Sequence, residues 1–579
     1  MRKLFGLLLA GVAVFAVVSS ATSTSQAPSL VVYPLPGTAT ITTTTQISFR
    51  GAPKDALGEI VVTGSRSGRH TGKLHAHSDG AGASFISSKR FTPGEQVTVR
   101  TKLDIGGARE GDFSYRVARR PPLRPTRPGR PPHKGRGSIQ RYDTRPDLIP
   151  PAVSITTRRE GRAPGHIFLA PKRGRGQDGP MIIDDSGKLV WFKSMGGKAA
   201  TDFRVQTYRG KPVLTWWQGY LSGGEGRGEG VIYDERYKPV RRVRAGNGHH
   251  SDLHEFQLTP RDTAYVVIYD ALRRDLSSEG GSRDGIVSQA VVQEIDIETG
   301  LVLFEWHSLG NVALSESYSP VPKGSGQWDY MHVNSVDETE DGDLILSSRA
   351  TRALYRVDKT TGKIEWRLGG KRSSFKQGPG TQFAMQHDAR MQPDGTLTIF
   401  DNSASPPVRK HSRAITLVLD TEKRTATLKQ AVKHPRGLLA ATQGGLQRLP
   451  TGGMFVGWGS QRWFSEYDAA GNLVYDGHLA RGNDNYRAYR FEWHGRPDTA
   501  PKAVATRSGS TVTAKVSWNG ATEVASWQLL AGDQPVATVA KSGFETTLRA
   551  RTDAPLVTVR ALDAAGAPLG TSKAVRPSR

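Results

Sequence analysis

Cysteine is missing from all 579 residues. That excludes disulfides, thiolate nucleophiles, zinc-thiolate sites and cysteine-linked lipid, so burial and hydrogen bonding must hold the fold. Acidic side chains are few beside basic ones, 54 against 79, for a formal net charge of +25. An excess of that size attracts anions. Outside a cell it points to anionic cell-wall or surface polymers, sulfate or phosphate esters and anionic membranes, with no nucleic-acid partner expected. Long apolar runs are scarce too. The longest, "LFGLLLAGVAVFAVV", follows Met1-Arg2-Lys3 and precedes the small residues Ser19 and Ala21. It is shorter than the roughly 20 residues of a spanning helix. This pattern reads as a signal peptide over residues 1–27, cleaved after Ala21 or Ala27, with an uncleaved anchor as the alternative. A secreted or extracytoplasmic protein is expected. No glycine-rich loop ending in lysine is present to cradle a nucleotide's phosphates.

The remaining chain divides by composition. The stretch "RRPPLRPTRPGRPPHKGRGSIQR" is basic and rich in proline, which suits a stiff linker over residues 119–149. Before it, residues 28–118 alternate polar and apolar positions in short runs such as "TATITTTTQISFRG" and "EQVTVRTKL", as in a small β-sandwich. Residues 498–579 follow the same pattern in "STVTAKVSWNG" and "APLVTVRALDAAG", which predicts a second sandwich of immunoglobulin or fibronectin type.

Between them, residues 150–497 are repetitive. A turn carrying an aspartate recurs at Asp184, Asp234, Asp296, Asp358, Asp420 and Asp468, at intervals of 48 to 62 residues, in most copies before an aromatic-rich strand. Other turns fall between these, as in "EDGD" (340–343), "PDG" (393–395) and "PTGG" (450–453). Each unit therefore holds four short antiparallel strands. Six such units in series predict an all-β fold with a six-bladed β-propeller, each blade burying its faces against its neighbours.

Three units open on a histidine: "LHEF" has His254, "DYMHVNS" has His332 and "QHDAR" has His387. A hairpin turning at residues 340–341 pairs position 332 with position 349, so His332 and Arg349 emerge side by side at one rim. Asn334 lies two residues along, on the face of His332. Trp216, Trp217, Trp328, Tyr330 and Trp458 also fall near the rim, though propeller strands use such residues mainly for packing. His249 and His250 read as an exposed loop.

Imidazoles grouped in this way bind a metal or an oxyanion. A metal-dependent oxygenase using several histidines is one reading. The guanidinium of Arg349 repels a divalent cation and, with imidazoles, suits a tetrahedral oxyanion.

The set "LHEF", "DYMHVNS", "LSSR" and "QHDAR", in that order, resembles bacterial aryl sulfotransferases that do not use phosphoadenosine phosphosulfate. The resemblance covers residues 150–495, and the amino-terminal module is similar to one that precedes the propeller in that family. It implies ping-pong transfer of a sulfuryl group from an aryl sulfate to a phenolic acceptor, with phenolic small molecules as donor and acceptor and no cofactor or metal. It further implies that His387 is the sulfated nucleophile, that His254, His332 and Arg349 hold the sulfuryl oxygens, and that Asn334 and Thr442 match substrate-contacting positions. The disulfide and oxidising thiol partner of the enterobacterial-type enzymes have no counterpart here. A noncatalytic propeller gripping sulfated or otherwise acidic polymers is the reading from another class.

Overall fold

A computed structural model describes residues 30–122 and 137–579. The signal-peptide reading and the central part of the linker lie outside the described residues. Among the described residues no helix is long and apolar enough to cross a membrane. The described residues are all-β apart from three short 3-10 turns.

Six main sheets of mostly antiparallel strands follow one another along residues 153–491, beside a two-stranded pairing of Pro171–Lys172 with Asp484–Asn485. The second comprises Ala199–Tyr208, Lys211–Ser222, Glu225–Tyr233 and Pro239–Val243. The third has Phe256–Leu258, Thr263–Arg274, Gly285–Asp296 and Val302–His307. The fourth has Val333–Glu338, Leu344–Ser348, Ala353–Val357 and Ile364–Gly369. The fifth has His387–Met391, Thr396–Asp401, Arg413–Asp420 and Thr425–Val432. The sixth runs from Gly445–Arg448 to Leu473–Leu479. Both ends of the region are stitched in by other sheets. Val153–Arg158 adds an outer strand to the sixth sheet. Tyr489–Phe491 pairs with His166–Leu169 as an edge strand of the first.

Alternation along the strands explains the packing. Successive side chains leave a strand on opposite faces, and here each face meets a different neighbour. Ile167 packs between the sixth and first sheets and Phe168 between the first and second. Trp216 joins the core of the first and second sheets, Trp217 that of the second and third. Tyr265 packs toward the fourth sheet while Val266 packs back toward the second. Further cores lie between the fourth and fifth sheets and between the fifth and sixth. A strand buried on both faces reads as a nearly continuous apolar run, as "LVWF" and "MFVG" do. The arrangement is propeller-like.

The repeated aspartates have one physical role. Each ends or directly follows the third strand of its sheet and accepts backbone N–H groups of its own turn: Asp234 from Arg236 and Lys238 (3.0 and 2.8 Å), Asp468 from Asn472 (2.8 Å), Asp358 from Thr360 (2.8 Å). A short carboxylate satisfies donors that the turn leaves over.

Residues 31–116 form two four-stranded antiparallel sheets around one core containing Val32, Phe49, Val62, Val97 and Val99. Residues 502–571 form a three-stranded and a four-stranded sheet around another, with Val512, Val516, Trp527 and Val559. The first module is anchored to the third sheet. The backbone N–H and hydroxyl of Ser78 bond Asp296 (both 2.9 Å), Thr42 donates to the carbonyl of Asn247 (2.5 Å), and Arg120, where the linker begins, grips Asp270 with two bonds (2.7 and 2.6 Å).

Candidate active site

The inner strands of the third, fourth and fifth sheets begin at or just after His254, His332 and His387. The three come together. The rings of His254 and His332 lie 4.8 Å apart, edge to face, and Tyr486 packs against His254 and His387 at 5.7 and 6.5 Å. Arg349 joins them, its backbone N–H donating to the carbonyl of His332 (2.9 Å), as the hairpin pairing requires.

His387 is held as a neutral base. Asn402 donates through Nδ2 to the carbonyls of Ala440 and Gln443 (3.1 and 2.8 Å), which leaves its Oδ1 to accept from His387 Nδ1 (2.7 Å). The proton therefore sits on Nδ1 and the lone pair on Nε2, where the backbone N–H of Gln443 approaches at 3.2 Å. Burial pushes this imidazole well below its ordinary pKa, and the positive charge of Arg349 adds to the effect.

The other two histidines are oriented differently. Asp252 bonds His254 Nδ1 and Asp329 bonds His332 Nδ1, so Nε2 is the remaining nitrogen on each. Burial lowers the pKa of His254 against the opposing pull of Asp252. Tyr269 packs against both rings, at 5.5 and 5.4 Å, and donates its hydroxyl to the carbonyl of Val333 (2.6 Å). Burial also lowers the pKa of Arg349, whose Nε is buried without a partner and whose nearest acceptor is the Ser405 carbonyl at 3.5 Å.

Backbone strain gathers here. His332, Met385, Asp388 and Gln443 all have φ between 52° and 67°, a region costly for residues other than glycine that persists where surroundings enforce it.

Below the histidines lies a buried ionic cluster. Arg487, fully buried, contacts Asp202 (3.0 Å), Glu255 (3.3 Å) and Asp388 (3.4 Å) and donates to the carbonyl of Asn334 (2.9 Å). Arg390 and Arg204 share Glu255 at 2.5 and 2.9 Å. Burial opposes the ionisation of Asp202, yet Arg204 and Arg487 hold its pKa at about 2. Glu255 and Asp388 each follow a site histidine directly, so this cluster braces the strands that carry the imidazoles.

Three expectations need correction or refinement. Period-two alternation puts Asn334 on the face of His332, but a β-bulge between Val333 and Ser335 and the positive φ of His332 break the alternation. Asn334 donates to the carbonyl of Gln386 (2.7 Å), next to His387, with its Oδ1 buried. Thr442 is exposed beside Gln443. The His249 side chain is buried against Asp270 (4.0 Å), unlike the exposed loop expected for 249–250, whereas His250 is exposed. The five aromatics noted near the rim are all buried.

Sequence reasoning missed Asp252, Asp329, Asn402 and Tyr486. A signal existed for the first two: "SDLH" and "DYMH" both place an aspartate two or three residues before the histidine. Asn402 and Tyr486 reach the site from 15 and 99 residues beyond His387, and nothing local marks them.

The all-β sheets thus bring together a buried imidazole, two histidines bonded to carboxylates and a guanidinium that forms no salt bridge among the described residues. Residues 204–480 match the model of the arylsulfotransferase (ASST) family, and this region carries every histidine of the site. The match supports aryl sulfotransferase activity in general terms. No curated protein matches the chain. Among solved structures, similarity extends to a protein of unknown function from Bacteroides caccae (12% identity, 56% of this chain and 98% of that one, TM-score 0.35). It also extends to a protein from Lactobacillus plantarum (13%, 72% and 97%, 0.31) and to virginiamycin B lyase from Staphylococcus aureus (10%, 62% and 94%, 0.26).

Proposed function

We propose that the chain is a secreted aryl sulfotransferase. On this reading the six sheets are the blades of a six-bladed β-propeller spanning residues 150–497, between sandwiches at 28–118 and 498–579. The propeller transfers a sulfuryl group from an aryl sulfate to a phenol through a sulfohistidine at His387. The observation that carries the reading is the Asn402-fixed tautomer of His387, which puts a lone pair on Nε2 inside a cationic site.

In the first half-reaction Nε2 attacks sulfur, the bond from sulfur to the aryl oxygen breaks, and the phenolate leaves with a proton from His332 or His254. In the second, one of these histidines takes the acceptor's proton and the acceptor oxygen displaces Nε2 from sulfur, restoring the enzyme. Charge spread over the three sulfuryl oxygens meets the guanidinium of Arg349 and whichever imidazolium is formed. The Asp252 and Asp329 carboxylates stabilise those imidazolium states.

The test supplies 4-nitrophenyl sulfate without acceptor. A burst of one nitrophenol per protein and an acid-labile sulfuryl label on His387 are expected, both lost in His387→Ala. Retained turnover in that variant, or a label on another residue, sinks the nucleophile assignment. Absence of any turnover favours the anion-binding module instead.

A further inference from the structure

Nearly every deeply buried arginine of this protein faces a carboxylate, as Arg204, Arg390, Arg413 and Arg487 do. The turn after the fourth sheet's second strand departs from that rule. Arg349 begins it and Arg352 ends it, the N–H of Arg352 donating to the carbonyl of Arg349 (3.3 Å). The Nε atoms of both are buried without a partner, and neither forms a salt bridge among the described residues. Their like charges disfavour each other, which contributes to the lowered pKa of Arg349. Arg352 also adopts φ 53°, a conformation costly for a residue other than glycine.

The guanidinium of Arg352 is held in place by an aromatic ring. Its central carbon lies 4.1 Å from the ring centroid of Tyr318, which is 42% exposed, and the ammonium of Lys371 lies 4.9 Å from the same ring. Tyr318 is fixed to the turn by its N–H, which bonds the carbonyl of Ala350 (2.8 Å). Lys371 is spent on the carbonyls of Ser315 and Ser317 (2.9 and 2.5 Å). The neighbouring carboxylate, Glu316, is taken by Arg367 (3.1 Å). A stacked guanidinium keeps its planar fork pre-organised while its charge goes unmatched.

We infer that Arg352, braced by Tyr318, reads a second anionic group on the substrate, so that the site selects phenols and aryl sulfates bearing a carboxylate or a further sulfate. The inference rests on the sulfuryl-transfer reading, in which one sulfate monoester brings a single negative charge and Arg349 already meets it. A second charge on the ring neutralises the second guanidinium.

Equilibrium binding of sulfonates, which cannot transfer their sulfur, tests this without turnover. Benzenesulfonate is compared with 3- and 4-sulfobenzoate at fixed ionic strength, while turnover of phenyl sulfate is measured separately. Wild-type protein is expected to bind one sulfobenzoate about tenfold more tightly, the gain of one charge-assisted contact. Arg352→Gly, which suits the positive φ and should fold, is expected to bring the ligands to near equal affinity. Tyr318→Leu should lower the preference, and Lys423→Ala, which removes one exposed charge elsewhere, should keep it. Equal affinities in wild type overturn the inference, as does a preference that survives Arg352→Gly or falls as far in Lys423→Ala. A preference without phenyl sulfate turnover upholds the anion reader and overturns the transferase reading; turnover without preference does the reverse.

Discussion

At the scale of single residues, the site turns on which nitrogen of each imidazole carries a proton. His387 Nδ1 faces an amide oxygen, and burial keeps that ring neutral, whereas Nδ1 of His254 and of His332 meets a carboxylate. On the proposed reading, the difference separates a nucleophile from two proton carriers. It also makes a signed prediction. Wild-type burst rate should be flat as pH falls from 8 to about 6, because the lowered pKa of His387 keeps Nε2 unprotonated. Asn402→Asp places a carboxylate opposite Nδ1, favours imidazolium and raises that pKa, so the acid-side fall should move up by about a pH unit or more. Rapid-quench burst measurements across pH check this. An unmoved limb would show that Asn402 does not set the protonation of His387.

The element that repeats is a turn, and its aspartate does more at one place than at the others. Asp234 bonds only its own turn, whereas Asp296 is buried and also receives two bonds from Ser78 of the amino-terminal module. A typical hydrogen bond contributes about 1 kcal/mol, and Asp296→Ala gives up the two bonds to Ser78 in addition to those of its own turn. Asp296→Ala is therefore expected to lower Tm clearly more than Asp234→Ala in calorimetric scans. Equal shifts would mean that the interface between module and ring contributes nothing to stability. The six aspartates were readable in the sequence because a turn's chemistry is local. The β-bulge at Val333–Ser335 was not, since pairing irregularity depends on the partner strand.

Across the whole molecule the charge of +25 is the leading fact. We propose that it holds the secreted protein on anionic wall or surface polymers, with phenolic small molecules, not nucleic acid, as its reacting partners. Attraction between exposed charges is screened within about 8 Å at physiological ionic strength. Protein recovered from the cell-wall fraction is accordingly expected to be released steeply between low and high salt. Retention insensitive to salt, or protein found only in the cytoplasm, would refute this.

The sequence by itself determined the all-β class, the six turn aspartates and the gathering of His254, His332, His387 and Arg349 at one rim. These follow from alternation, turn residues and hairpin pairing, which act over a few residues. Tertiary structure alone decided which partner each imidazole meets and what Arg352 lacks. Asn402 and Tyr486 come from other loops, the Arg487 cluster joins the second, third and fifth sheets to the closing strand, and the unmatched guanidinium is visible only once every nearby carboxylate has a place. Electrostatics depends on distance in space, and no spacing along the chain encodes it.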